Sequence, residues 1–392
     1  MFAVFRPVRK PVLGLILTLF SAALLAACGP LPVAGTGPSI NTRAAVPVAL
    51  LVPAGSGQPG DAVIARGLEN AARLAISDLD GVEVDLRVYN TAGNPDQAAA
   101  MATEAVNEGA KIILGPVYAQ SANAVGVAVA RRGINVLSFS NNTDIAGGNV
   151  FVLGPTFQNT ANRLVRYAAA NGRSNIMIVA DQNASGQAGA QAIRSAAVSS
   201  GAIVVGDETY EFSQNGVLDA ASRIADSAKA SGAQAMFLTA DTSGALPLLA
   251  QLLPEKGVDT QAVKLVGLTR WDIPPATLAM KGLQGGWFAL PDPGLADRFN
   301  ARYQTAFGEP PHPIAGLAYD GIAAIGALVQ QGKSDALTVS ALTQSSGFAG
   351  VNGVFRLLSD GTNERGLAVA EIQNNQVVVI DPAPRSFGGT GF

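Results

Sequence analysis

The chain has 392 residues, is 48% hydrophobic and only 14% charged, and sets 26 Lys and Arg against 29 Asp and Glu for a net charge of −3. With no basic cluster beyond the first ten residues it lacks the electrostatic footprint of a nucleic-acid binder, and its body is too apolar to stay disordered. One histidine and one cysteine leave no Cys/His metal cluster and no Cys/His nucleophile pair, so no cofactor, no metal and no catalytic residue is expected, and the chain reads as a non-enzyme. His312, between Pro311 and Pro313, reads as a structural loop residue. Two carboxylates distant in sequence could still meet in space, but nothing in the chain supports that chemistry.

In chain order, a basic start with Arg6, Arg9 and Lys10 precedes an apolar run from Val12 to Leu25 and then Leu25-Ala26-Ala27-Cys28. Residues 1–27 read as a secretory signal, because about fourteen apolar residues are too few to span the roughly 30 Å hydrocarbon core. The run resembles the lipobox of bacterial lipoproteins, which implies that Cys28 is acylated, with palmitate among the chains, and becomes the only membrane contact. The alternatives are an ordinary cleaved signal followed by a free thiol, or an uncleaved anchor helix. Gly29 stands where an aspartate tends to retain lipoproteins at the inner membrane of Gram-negative bacteria, so the periplasmic side of the outer membrane is favoured over the inner. Residues 28–45, rich in Pro, Gly and Ser, read as a flexible tether.

From Val46 short apolar runs alternate with amphipathic stretches, the pattern of strand-helix units on parallel sheets. Strands are expected at Val46 to Val52, Leu86 to Tyr89, Lys111 to Leu114 and Ile134 to Ser138, with helices at Ala62 to Asp78, after the cap Asn94-Pro95, and at Ser121 to Arg132. The rhythm restarts with helices at Asn159 to Ala170, Gly186 to Ser200, Leu218 to Gly232 and Gly244 to Leu253. Between and after them lie strands at Asn175 to Val179, Ala202 to Val205, Ala235 to Thr239 and Lys264 to Val266. A strand at Gly286 to Leu290, helices at Leu295 to Phe307 and Leu317 to Gln331, and a hairpin across Asn374-Asn375 complete one or both sheets. The fold class is therefore α/β with two doubly wound parallel-sheet lobes and a cleft between them. The expected division is 46–155 plus 286–345 for lobe 1, 156–285 plus 346–382 for lobe 2, and a tail at 383–392.

In open parallel sheets ligands bind beyond the carboxyl ends of the strands. The loops there are Ala54 to Gly60, Pro116 to Ser121, Ser138 to Thr143, Asp181 to Ser185, Ala240 to Gly244 and Thr269 to Asp272. Most are rich in hydroxyl and amide side chains, and several lead into helices whose free N–H groups can receive an anion.

Pro53-Ala54-Gly55-Ser56-Gly57, Asn94-Pro95-Asp96-Gln97-Ala98, Ile113-Leu114-Gly115-Pro116, Leu137-Ser138-Phe139-Ser140 and Ala318-Tyr319-Asp320 resemble the leucine-binding family of type 1 periplasmic binding proteins. The resemblance spans nearly the whole chain after the tether and implies two lobes joined by three crossovers around a small polar ligand. A narrower resemblance, to the penicillin-binding protein activator lipoproteins, rests on Leu268-Thr269-Arg270-Trp271-Asp272, Gly285-Gly286-Trp287-Phe288-Ala289, Gly347 to Gly353 and Arg365-Gly366-Leu367-Ala368.

The family resemblance implies that small hydroxyl side chains and backbone amides of the first lobe hold a ligand carboxylate, which points to Ser56, Tyr118, Gln120, Ser121, Ser138, Ser140, Asn142 and Thr143. In the second lobe Ser185 replaces an expected aromatic residue, and Trp271, Asp272 and Asp241 complete the candidate set. An ammonium buried without a countercharge is costly, so Asp272, Asp241 or Asp181 must take that role or the ligand is not an α-amino acid. Two functions follow: a regulator of peptidoglycan synthesis that contacts a peptidoglycan synthase, and, as the alternative, a solute-binding protein that serves an ABC permease for branched-chain or other amino acids or amides.

Overall fold

The computed structural model describes residues 37–388. The expected leader, Cys28 with its lipid, the tether before residue 37 and residues 389–392 of the tail lie outside the described residues. Among the described residues no helix is long and apolar enough to cross a membrane.

The first lobe opens with β1 (Val46–Val52), α1 (Asp61–Ser77), β2 (Val84–Asn90), α2 (Pro95–Asn107), β3 (Ile112–Leu114), α3 (Ala119–Val129), β4 (Val136–Ser138) and β5 (Val150–Val152). The strands form a wholly parallel sheet in the order β2-β1-β3-β4-β5. Six of the seven residues of β1 are buried, as its near-continuous apolar run requires of a strand covered on both faces. Asn94 Oδ1 accepts the Gln97 N–H at 3.0 Å and Pro95 occupies the first turn, which starts α2 at that point.

The second lobe contains α4 (Phe157–Ala170), β6 (Asn175–Asp181), α5 (Ala184–Ser200), β7 (Ile203–Tyr210), α6 (Gln214–Ser231), β8 (Ala235–Leu238), α7 (Leu246–Glu255), β9 (Lys264–Gly267) and β10 (Trp287–Leu290). The chain then returns to the first lobe through α8 (Pro293–Phe307), α9 (Gly316–Val329), α10 (Val339–Leu342) and the small antiparallel sheet β11 (Phe348–Gly350), β12 (Gly353–Leu357) and β13 (Asn363–Arg365). It ends in the second lobe with the hairpin β14 (Ala368–Gln373) and β15 (Gln376–Asp381), turned by Asn374 and Asn375 at φ 52 and 64. The second sheet runs β15-β14-β10-β9-β8-β6-β7.

Two segments sit elsewhere than the sequence division had them. Residues 286–290, expected in lobe 1, pair with β9 and β14 in the second sheet. Residues 348–365, expected in lobe 2, belong with the first lobe, because Phe348, Phe355 and Leu357 fill the same apolar core as Leu50, Leu68 and Ile325. The described end of the expected tether is docked: Ile40 is buried in that core and its N–H donates to the Ser334 carbonyl at 2.9 Å.

The lobes are joined by three crossovers, after β5, after β10 and after β13, and one side chain ties them. Arg365 donates from Nε (3.0 Å) and Nη2 (2.5 Å) to the Leu153 carbonyl in the first crossover. Its Nη1 pairs at 3.1 Å with Asp320 on α9, which follows the second crossover, while Arg365 itself opens the third. Asp320 is fully buried and also accepts the Val351 N–H at 2.8 Å. Gly350 packs against this carboxylate, where a Cβ would overlap it. Removing one partner leaves an uncompensated buried charge, so R365A should lower the unfolding free energy by about 3–5 kcal/mol. Replacing the exposed Arg73, paired with Glu69 one turn earlier, should cost under about 0.5 kcal/mol in the same urea titration.

Candidate functional site

Between the lobes, beside the crossovers, lies a cavity of about 330 Å³. The first lobe contributes Asn141, Ile314 and Leu317, the second Phe157, Thr160, Leu268, Thr269, Arg270, Ile273 and Leu290, and the third crossover Arg365 and Leu367. Its walls are mainly apolar, its charged lining residues are both arginines, and no carboxylate lines it.

Two of the loops singled out by sequence supply this lining, but through other residues. Ser138 is fully buried and donates to the Pro116 carbonyl at 3.0 Å while accepting the Ser140 N–H at 3.1 Å. Ser140 Oγ accepts the Asn142 N–H at 3.1 Å, and Asn142 Oδ1 accepts the Asp144 N–H at 2.8 Å to cap the short turn begun by Thr143. These side chains shape their own loop, and their neighbour Asn141 is the one that reaches the cavity. Gln120 is exposed in the first turn of α3, and Ser121 beside it is buried with its hydroxyl unpartnered. That helix has no side-chain cap. A buried orphan hydroxyl costs about 1–3 kcal/mol, so Ser121 stands ready for a further acceptor or donor.

Ser56 and Tyr118 converge on Asp61, a residue the sequence pattern did not single out because its acid is hidden at the start of α1. Asp61 is 3% exposed; Ser56 Oγ donates to its Oδ2 at 2.6 Å and the Tyr118 hydroxyl donates to its Oδ1. The Tyr118 phenol is pushed up to about 12, first by that hydrogen bond and then by burial. Neither residue lines the cavity.

In the second lobe Ser185 is exposed in the first turn of α5, whose cap is Asn183. Trp271 corrects the expectation that it faces a ligand: it is fully buried in the second-lobe core, 6.3 Å from the Phe288 ring, and closes on Gly267 and Gly286 where a side chain would collide with it. A large indole in a sheet-helix core is held by dispersion and area burial, and W271A should cost about 3–5 kcal/mol of stability. A ligand-facing tryptophan would instead show lost affinity at unchanged unfolding midpoint.

Asp272 is engaged as well. Arg270 grips it with Nε at 2.6 Å to Oδ1 and with Nη2 to Oδ2, so it offers no free charge to an ammonium. Asp241 is exposed and accepts the Ser243 hydroxyl at 3.0 Å. Asp181 is 5% exposed, receives the Tyr210 hydroxyl on Oδ1, and its carboxyl is pushed up to about 6 by burial and by the charge of Asp241.

The folded value of Asp181 lies above the ordinary 3.8, so the native state holds the proton more tightly than the unfolded chain. Its contribution to stability is therefore full below the unfolded value and is lost as pH rises through about 6. Relative to D181N, the parent chain should lose about 1–3 kcal/mol of unfolding free energy between pH 4 and 7. A pH-independent difference in urea midpoints would show that the carboxyl titrates normally.

Two lobes built on largely parallel sheets, three crossovers and a cavity at the carboxyl ends of the strands define the bilobed architecture of the periplasmic binding proteins. The chain belongs to the periplasmic binding protein family, whose model matches residues 45–376, and within it to the leucine-binding type. Its fold is similar to that of a candidate branched-chain amino acid ABC transporter from Rhodospirillum rubrum, with TM-score 0.73 and 20% identity over 86% of this chain and all of that one. An ABC transporter substrate-binding protein from Desulfitobacterium hafniense, solved with Leu, gives TM-score 0.63 and 19% identity over 86% of this chain and 100% of that one. A solute-binding protein of an ABC transporter from Rhodopseudomonas palustris, solved with 3,4-dihydroxybenzoic acid, gives 0.59 and 18% over 88% of this chain and 97% of that one. An uncharacterized protein of Rickettsia prowazekii is 22% identical over 233 residues, 58% of this chain, and the match spans 61% of that protein's length.

Proposed function

We propose that this chain is the solute-binding component of an ABC importer, working in the periplasm, lipid-anchored through Cys28, and handing a small solute to a membrane permease. The observation that carries the reading is the cavity of about 330 Å³ between the lobes, walled by apolar side chains from both and bordered by a few polar ones. The family and the ABC-transport proteins among the structural relatives, one solved with an amino acid and one with an aromatic acid, support the same reading. Binding would proceed by hinge closure, with contacts from both lobes stabilising the closed form. The chain binds its solute and does not transform it.

The regulatory reading, with a peptidoglycan synthase as partner and the outer membrane as site, draws less support. The strings that carried that likeness lie largely in buried places: Trp287 to Ala289 is strand β10 in the second core, and Arg365 with Leu367 is crossover packing. Residues there serve the fold and carry no information about a partner surface.

A thermal-shift panel of amino acids, amides and small carboxylates against the purified chain tests the proposal. A solute at about 100 times its dissociation constant should add roughly 2.7 kcal/mol of stability. Silence across the whole panel would sink the importer reading and send the question to pull-downs with peptidoglycan synthases.

A further inference from the structure

The carboxylates nearest the carboxyl ends of the strands are already engaged. Asp61 is held by Ser56 and Tyr118, Asp181 by Tyr210, and Asp272 by Arg270. None of them lines the cavity, and neither does the exposed Asp241. An ammonium group brought into such a lining would lose its water and meet no countercharge.

The two lining cations are not equivalent. Arg365 is 7% exposed and its three guanidinium nitrogens are spent on Leu153 and Asp320. Arg270 keeps a side chain 36% exposed and gives only Nε and Nη2 to Asp272. Its Nη1 has no hydrogen-bond partner among the described residues. A guanidinium already oriented by one carboxylate presents its remaining donors at little further entropic cost, and a planar fork suits a second carboxylate. Thr156 and Phe157, at the positive end of the 14-residue helix α4, lie on the same lining and add potential of the same sign.

We propose, building on the solute-binding reading above, that the solute is a small organic acid with an apolar body and no ammonium group, and that Arg270 reads its carboxylate. Asp272 is then a positioning residue for Arg270, and the apolar walls from Phe157, Leu268, Ile273 and Leu290 receive the body of the acid.

Three isosteric probes separate the features: 4-methylpentanoate, leucine, which adds the ammonium, and 4-methylpentanamide, which removes the charge. Phenylacetate and benzoate serve as aromatic acids. Calorimetric titration of the purified chain should show at least one of the acids binding about 10- to 100-fold more tightly than leucine and the amide. R270Q should weaken that acid by a similar factor while the chain still unfolds cooperatively with a melting temperature lowered by no more than a few degrees, and R270K, which keeps the charge without the fork, should fall between.

Leucine binding as tightly as the best acid, the amide binding as tightly as the best acid, or full acid affinity in R270Q would each overturn the inference. In those cases a solute still binds and the importer reading stands. Silence of all five probes while other amino acids or amides shift the melting temperature overturns the inference alone. Silence of every solute overturns both.

Discussion

The geometry of the molecule hangs on a guanidinium buried where three strands of chain cross between the lobes. Arg365 holds the Leu153 carbonyl of the first crossover and the Asp320 carboxylate behind the second, and it sits itself in the third. A charge in that place is tolerated because each guanidinium nitrogen has a partner and the carboxylate is paired: around the two lie the Phe355 ring 5.0 Å away, the Val351 N–H and the close backbone at Gly350. Asn363 extends the knot, its Nδ2 donating to the carbonyls of Val152 and Gly154 while its backbone carbonyl accepts from Asn159 Nδ2. Removing any one crossover from this network leaves buried polar groups without partners, so the three segments hold one another in place.

That arrangement also decides where a solute can sit. The crossovers fix the carboxyl ends of both sheets on the same side of the hinge, and the space between them is walled by whatever leaves β9, β10 and the first-lobe strands at that level. Leu268, Thr269 and Arg270 follow β9 directly, and Leu290 ends β10. The polar loops around Ser56, Tyr118 and Asp61 lie at the carboxyl ends of β1 and β3 and knit the first lobe rather than the cavity.

Strands buried on both faces announce themselves as apolar runs, and for that reason Val46–Val52 and the helix after Asn94 are legible in sequence to within a residue or two. The three-residue β5 and the small sheet β11 to β13 are not, since so short a stretch has no periodicity to read, and the side-chain tie that fixes them together, Asn363 to the Val152 carbonyl, joins residues more than two hundred positions apart. Side-chain direction was less legible still. Ser138, Ser140 and Asn142 look like ligand groups because hydroxyls and amides are also what a turn uses to satisfy its own N–H groups, and here the turn has the first claim on them. Trp271 reads either as a cleft residue or as lobe packing, because it sits on a loop beyond the end of a strand, and the loop turns its indole inward against Gly267 and Gly286.

The sequence did contain the sharper clue in the string Thr269-Arg270-Trp271-Asp272. A base and an acid two residues apart on a loop meet whenever the residue between them turns the other way, and Trp271, drawn into the core by its size, does that. The burial of the tryptophan and the pairing of its neighbours are thus one event. It commits the nearest acid to Arg270, and it leaves Arg270, with its Nη1 unpaired among the described residues, on the cavity lining. In a lining with no carboxylate, that arginine determines the sign of charge the site tolerates.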